Sequence, residues 1–249
     1  MEPQRIGTIV APMAPVPAST PKIAEPSRES YERARLAEFH FGAFKRAGYP
    51  RRHCELISAA WKKADEAQRK GFLLDPPPGA AEIREQAFQA ISQPGGCVLL
   101  LGQRGTGKTQ LACELGLRIA SNEVLTAPPS HHVGSDSTPQ RYEVLADLFA
   151  LEKASWKNHD GKTPGPLMQI REVEYLVLDE IQERTESQWE DGELVRLFDY
   201  RYRDMKRTVL IANLDVAGFR QKMPASIWSR VLETGTVVEC NWTSFRGRM

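Results

Sequence analysis

The chain has 249 residues, with 33 Lys and Arg against 32 Asp and Glu, a formal net charge of +1 and 41% hydrophobic residues. This is the composition of an ordinary soluble globular protein, long enough for one α/β domain and a small appendage. The near-zero charge excludes a global attraction to nucleic acid or membrane, so any such binding must come from local patches.

No apolar run approaches the roughly 20 residues of a membrane span. Prolines stand where a signal peptide would have its apolar segment. The expected location is the cytoplasm, with no membrane partner. The cysteines Cys54, Cys97, Cys113 and Cys240 form no CxxC pair and read as small apolar residues in a reducing compartment.

In chain order, residues 1–26 contain "APMAPVPASTPKIAEP". Proline at this density blocks helix and sheet, and the stretch reads as a disordered tail, with a peptide ligand as the alternative. From Ser27 the texture changes. "SRESYERARLAEFHFGAFKRAG" and "YPRRHCELISAAWKKADEAQRKGF" predict two short helices, a small helical partner-binding domain over residues 27–75. Such helices must pack on each other, on the main domain or on another protein. "DPPPG" is a break, and residues 76–249 are expected to form the main domain.

Residues 80–93 predict a further helix closed by "QPGG". Short apolar, β-prone runs then alternate with helical segments: Cys97–Leu101, Tyr175–Leu178, Val209–Ala212 and Val237–Cys240, with Arg141–Val144 as a fifth strand. Runs of this kind are expected of parallel strands covered on both faces. Asn122 to Pro139 is expected to be a surface insertion. His131 and His132 lie in it with no cysteine or third histidine nearby, which favours a solvated loop over a metal site.

Gly102, Gln103, Arg104, Gly105, Thr106, Gly107, Lys108 and Thr109 spell G-x-x-x-x-G-K-[ST] between a predicted strand and a predicted helix, Gln110 to Ala120. Small residues let the main chain curl so that successive N–H groups point inward as an anion nest, backed by the helix's positive end. Lys108 can reach the β- and γ-phosphates of ATP, and the Thr109 hydroxyl can hold Mg²⁺.

"EYLVLDEIQER" ends a strand in Asp179 and Glu180. Asp179 beside the loop suits Mg²⁺; Glu180 can polarise a water for attack on the γ-phosphate. Asn213, ending "TVLIAN", can orient that water or sense the γ-phosphate, although asparagine also favours turns. Arg230 can serve a neighbouring subunit's γ-phosphate; spacing alone leaves a solvated helix residue as the alternative. "DYRYRDMKR" interleaves Tyr200 and Tyr202 with basic residues, as in single-strand binding. An amphipathic helix with tyrosines inward and arginines outward explains the tyrosines better, and the basic residues stay open.

Phosphate loop, Asp-Glu, Asn and Arg in that order resemble the AAA+ ATPases. Among these the chain resembles the bacterial and phage helicase-loader group, the DnaC-like proteins, with their IstB-like transposition cousins, through "GQRGTGKTQLA", "YLVLDEIQER", "LFDYRYRDMKRTVLIANL", "SRVLETG" and "NWTSFRGR". The resemblance spans about residues 47 to 249 apart from the insertion. It implies an α/β P-loop NTPase of AAA+ type, a parallel sheet flanked by helices, with a small helical N-terminal domain and no C-terminal lid. By function it implies an ATPase that binds the replicative hexameric helicase and helps place it on single-stranded DNA. By residue it makes Arg230 an arginine finger between adjoining copies, and Arg246 a sensor of the bound nucleotide. A serine is usual in the group where Ala212 stands. An IstB-like helper acting on duplex DNA and a nucleotide switch with vestigial hydrolysis remain as rivals.

Overall fold

The computed structural model describes residues 42, 44–65, 68, 72–76, 79–126, 140–158 and 163–244. The expectations for the proline-rich tail, for His131 and His132 and for Arg246 lie outside these residues.

Helices α1 (Arg51–Lys63) and α2 (Ala81–Ser92) precede β1 (Cys97–Leu101) and α3 (Lys108–Thr126). Then come β2 (Gln140–Val144), α4 (Leu145–Ser155), α5 (Pro166–Arg171) and β3 (Tyr175–Asp179). The chain continues through α6 (Gln188–Arg203), β4 (Arg207–Ala212), α7 (Val216–Lys222), α8 (Ala225–Thr234) and β5 (Gly235–Glu239). The strands form one parallel sheet in the order β2-β3-β4-β1-β5. All five predicted strands are present, β5 displaced to start at Gly235 and end before Cys240.

Strand side chains alternate between faces, and the core divides accordingly. Val98 and Leu100 of β1, Tyr175 and Val177 of β3, and Val209 and Ile211 of β4 share one apolar cluster with α1, α2 and α3. Cys97, Leu99 and Leu101, Leu176 and Leu178, and Leu210 and Ala212 share the other with α4 to α8. Both faces are covered, so β1 and β3 as far as Leu178 read as unbroken apolar runs, and every residue of both strands, Asp179 included, is buried.

Local chemistry sets several boundaries. Ser187 Oγ accepts from Glu190 N at the start of α6, and Asp215 Oδ1 accepts from Gly218 N at the start of α7. Helix α3 differs from expectation at both ends. It begins at Lys108, two residues earlier, and runs to Thr126, into the segment expected as an insertion. The first helix breaker beyond Ala120 is Pro128.

The segment preceding α1 and α1 itself join the first core cluster through Phe44, Ala47, Tyr49, Ile57 and Trp61. In its described part, the region expected as an appended helical unit is packed against the main sheet. In "DYRYRDMKR", whose basic residues the sequence left open, Arg201 turns inward and is 1% exposed. Its guanidinium donates to Val173 O (2.8 Å), to Ile170 O and to Thr208 Oγ1 (2.9 Å), capping the starts of β3 and β4. Burial lowers its pKa to about 9. Tyr200 and Tyr202, expected inward, are half-buried, and their hydroxyls donate to Glu172 and Glu233.

Candidate functional site

A cavity of about 700 Å³ opens at the carboxyl ends of the strands, a size common for ligand sites and the usual place for them in open α/β sheets. Arg104, Gly105, Thr106, Gly107, Lys108 and Thr109 line it from the loop after β1. Asp179 and Glu180 line it from the end of β3, Asn213 from the end of β4. Thus the sheet brings together residues that stand far apart in sequence.

The loop owes its shape to glycine: Gly105 and Gly107 take φ of 86° and 84°, where a Cβ is disfavoured. Thr106 Oγ1 donates to Gln103 O (2.9 Å) and fastens the curl. Lys108, 5% exposed, folds back so that Nζ donates to Gly102 O (2.8 Å) and Gln103 O (2.7 Å). Its ammonium is thereby stored against main-chain oxygens at the positive end of α3, where an anionic ligand can replace them. Gly102 and Gln103 contribute to the site through these carbonyls.

Thr109 Oγ1 donates to Asp179 Oδ2 at 2.8 Å. A hydroxyl and a carboxylate held together beside a phosphate loop are the hard oxygen donors that Mg²⁺ takes, with phosphate and water completing its shell. Among the described residues no three His, Cys, Asp or Glu side chains gather as a self-sufficient metal site.

Glu180 adopts φ 51° and ψ 40°, a left-handed conformation that strains a residue with a Cβ. The strain is held by its own N–H on Asp179 Oδ1 (2.7 Å) and by Glu183 N–H on its carbonyl (2.9 Å). Gln182 Oε1 accepts from Asn213 N (3.0 Å), tying this turn to the end of β4. Arg104 pairs with Glu183 at 2.9 Å, tying the phosphate loop to the same turn.

Some contributors were not singled out by the sequence reading. Trp242 Nε1 donates to Thr106 O at 2.6 Å, so the segment after β5 buttresses the loop; its place in the "NWTSFRGR" ending was the available signal. Tyr142 donates to Asp179 Oδ2 at 2.6 Å, and no sequence pattern marks it. Glu114 and Arg84 form an ion pair lining the cavity, 4% and 6% exposed. Burial pushes the Glu114 carboxyl up to about 7.

Arg230 does not line its own chain's cavity. On α8 it donates to Ser226 O (3.0 Å) and pairs with Asp199 at 2.7 Å. Arg246 lies outside the described residues.

The model of the family "IstB-like ATP binding protein" matches residues 81–249. An uncharacterized protein YdaV of Escherichia coli (strain K12) is 28% identical over 147 residues, covering 58% of this chain and 53% of that protein. The replicative helicase loader DnaC of the same strain is 26% identical over 149 residues, covering 59% of this chain and 55% of that protein. The matched region thus spans about half the length of these relatives. A crystal structure of the DnaC helicase loader aligns with TM-score 0.52 and 18% identity, covering 67% of this chain and 93% of that one. Domain III of the Thermotoga maritima replication initiation protein DnaA aligns with TM-score 0.50 and 20% identity, covering 66% and 62%. These likenesses share the fold. With the family model matching well over half of its length, and a phosphate loop on a parallel AAA+ sheet, the chain belongs to the IstB-like ATP-binding proteins.

Proposed function

We propose that the protein is an ATP-hydrolysing helicase loader, which engages the replicative hexameric helicase and helps place it on single-stranded DNA. The observation that carries hydrolysis is the meeting of Asp179, Glu180 and Asn213 with the phosphate loop in one cavity. A binding module needs the loop; it does not need a second carboxylate and an amide from another strand beside it.

Lys108, Thr109, Asp179, Glu180 and Asn213 have tasks that their positions in the cavity support. Lys108 exchanges the Gly102 and Gln103 carbonyls for phosphate oxygens. Thr109 and Asp179 hold Mg²⁺, which when bound neutralises charge on the β- and γ-phosphates. Glu180 accepts a proton from the attacking water, and Asn213 orients that water. Arg230 leaves Asp199 to stabilise transition-state charge in an adjoining copy, so the working form is a homo-oligomer. Arg246 senses the nucleotide. Partner recognition falls to the N-terminal region, residues 27–75, ahead of the ATPase domain at 76–249.

The likeness to a protein named replicative helicase loader supports the partner class. The test is capture of the host replicative helicase by the full chain with ATP, with ADP and without nucleotide. Retention with ATP is expected; no retention in any state overturns the loader reading. The family description favours one rival, an IstB-like helper on duplex DNA. Tighter ATP-dependent binding to duplex than to single strands would decide for it.

A further inference from the structure

Tyr142 links the metal carboxylate to the N-terminal segment. It stands on edge strand β2 opposite Val177, one diagonal step from Asp179, within reach of an aromatic side chain. Its O–H donates to Asp179 Oδ2 at 2.6 Å, the same oxygen that accepts from Thr109 at 2.8 Å.

The other side of this residue is occupied by the chain's own N-terminal segment. Tyr142 N–H donates to Ala47 O at 2.8 Å. The ring of Tyr49 lies 5.6 Å from that of Tyr142, and the ring of Phe44 lies 4.7 Å from Tyr49. Gly48 has φ +88°, and a Cβ there would stand 2.8 Å from Tyr142 O, so only glycine lets the segment come this close.

We propose that Tyr142 is a positioning residue for Asp179, and that through it the docking of residues 44–49 on β2 sets how tightly the site holds Mg²⁺. The proposal rests on the reading of Thr109 and Asp179 as the Mg²⁺ ligands. The Asp179 carboxylate is pinned by three donors, Thr109 and Tyr142 on Oδ2 and the Glu180 N–H on Oδ1, and loss of such an outer partner weakens metal binding by about 10- to 100-fold. Displacement of Phe44 or Tyr49 by a bound partner tilts the Tyr142 ring and loosens the carboxylate. A binding event at the N-terminal region thereby reaches the reaction centre through three packed rings and one hydrogen bond.

The experiment measures binding of a fluorescent ATP analogue to the full chain, first in EDTA and then across a Mg²⁺ titration, with thermal unfolding in parallel. Tyr142→Phe keeps the ring and removes only the O–H. It should leave the EDTA affinity near that of the parent and raise the Mg²⁺ midpoint about tenfold. Phe44→Ala, or Phe44→Leu if the alanine variant does not fold, should raise the midpoint less. The double variant should go no further than Tyr142→Phe, because both act through one hydrogen bond. An unchanged midpoint for Tyr142→Phe, in a parent whose binding responds to Mg²⁺, overturns the positioning role. Additive shifts overturn the transmission from Phe44. A parent insensitive to Mg²⁺ overturns the metal-site reading itself, and the proposal with it.

Discussion

At the residue scale, Glu180 and Glu114 are two carboxylates in one cavity with different environments. Glu180 sits in a strained turn at the end of β3, where its backbone conformation is held by neighbouring hydrogen bonds. If it is the general base, Glu180→Gln keeps ATP binding and lowers turnover by about 10²- to 10⁴-fold, as read by equilibrium binding beside a phosphate-release assay. A protein that never hydrolysed would show no difference between the two.

Glu114 is buried against Arg84, and its carboxyl is raised to about 7 from an ordinary 4.5. Because the folded value lies above the unfolded one, its favourable contribution is complete below about pH 4.5 and is lost as pH rises through 7. Glu114→Gln should therefore flatten the fall in stability between pH 5 and 7.5, by up to about 3 kcal/mol in paired urea titrations. The parent and variant keeping parallel pH profiles would rule this out.

At the element scale, the turn after β3 is laced to its surroundings by arginines. Arg184 has no exposed side-chain surface. It donates to Ile181 O and Lys222 O and pairs with Asp191, joining the turn to the end of α7 and the first turns of α6. Arg184→Met leaves those carbonyls without a donor and should destabilise the fold by about 3 kcal/mol. Arg184→Lys should recover little, since one ammonium cannot reproduce the planar fork. Thermal melts of both variants check this; full recovery by lysine would show that charge alone matters.

These ties were not legible in "EIQERTE" or "DYRYRDMKR", because the charge pattern looks the same for a solvated face and for a buried guanidinium. What decides is which main-chain oxygens end nearby. Arg201 lies beneath the starts of β3 and β4, so an arginine whose direction the sequence left open turns inward.

At the scale of the whole molecule, Arg230 is paired with Asp199 away from its own cavity. If it acts between copies, Glu180→Gln and Arg230→Ala should each be nearly inactive, with Arg230→Ala lowering the rate by about 10³-fold or more. Mixed, they should regain activity, because an intact Glu180 from one variant can meet an intact Arg230 from the other. A mixture no more active than its parts would restrict Arg230 to a structural role. The N-terminal segment is also a matter of the whole molecule: Ala47 pairs with the edge strand β2, and Phe44, Tyr49, Ile57 and Trp61 extend the core.

The amino-acid sequence determined the phosphate loop, the five strands and the acidic and amide ends of β3 and β4. These depend on short-range chemistry: glycine where φ must be positive, alternation of apolar side chains on two covered faces, polar residues where strands stop. Only the tertiary structure decided that Tyr142 and Thr109 share one oxygen of Asp179, that Trp242 supports Thr106, and that residues 44–49 close the edge of the sheet. Those contacts follow from strand order and register, which bring together groups tens to more than a hundred residues apart, and no local pattern records that distance.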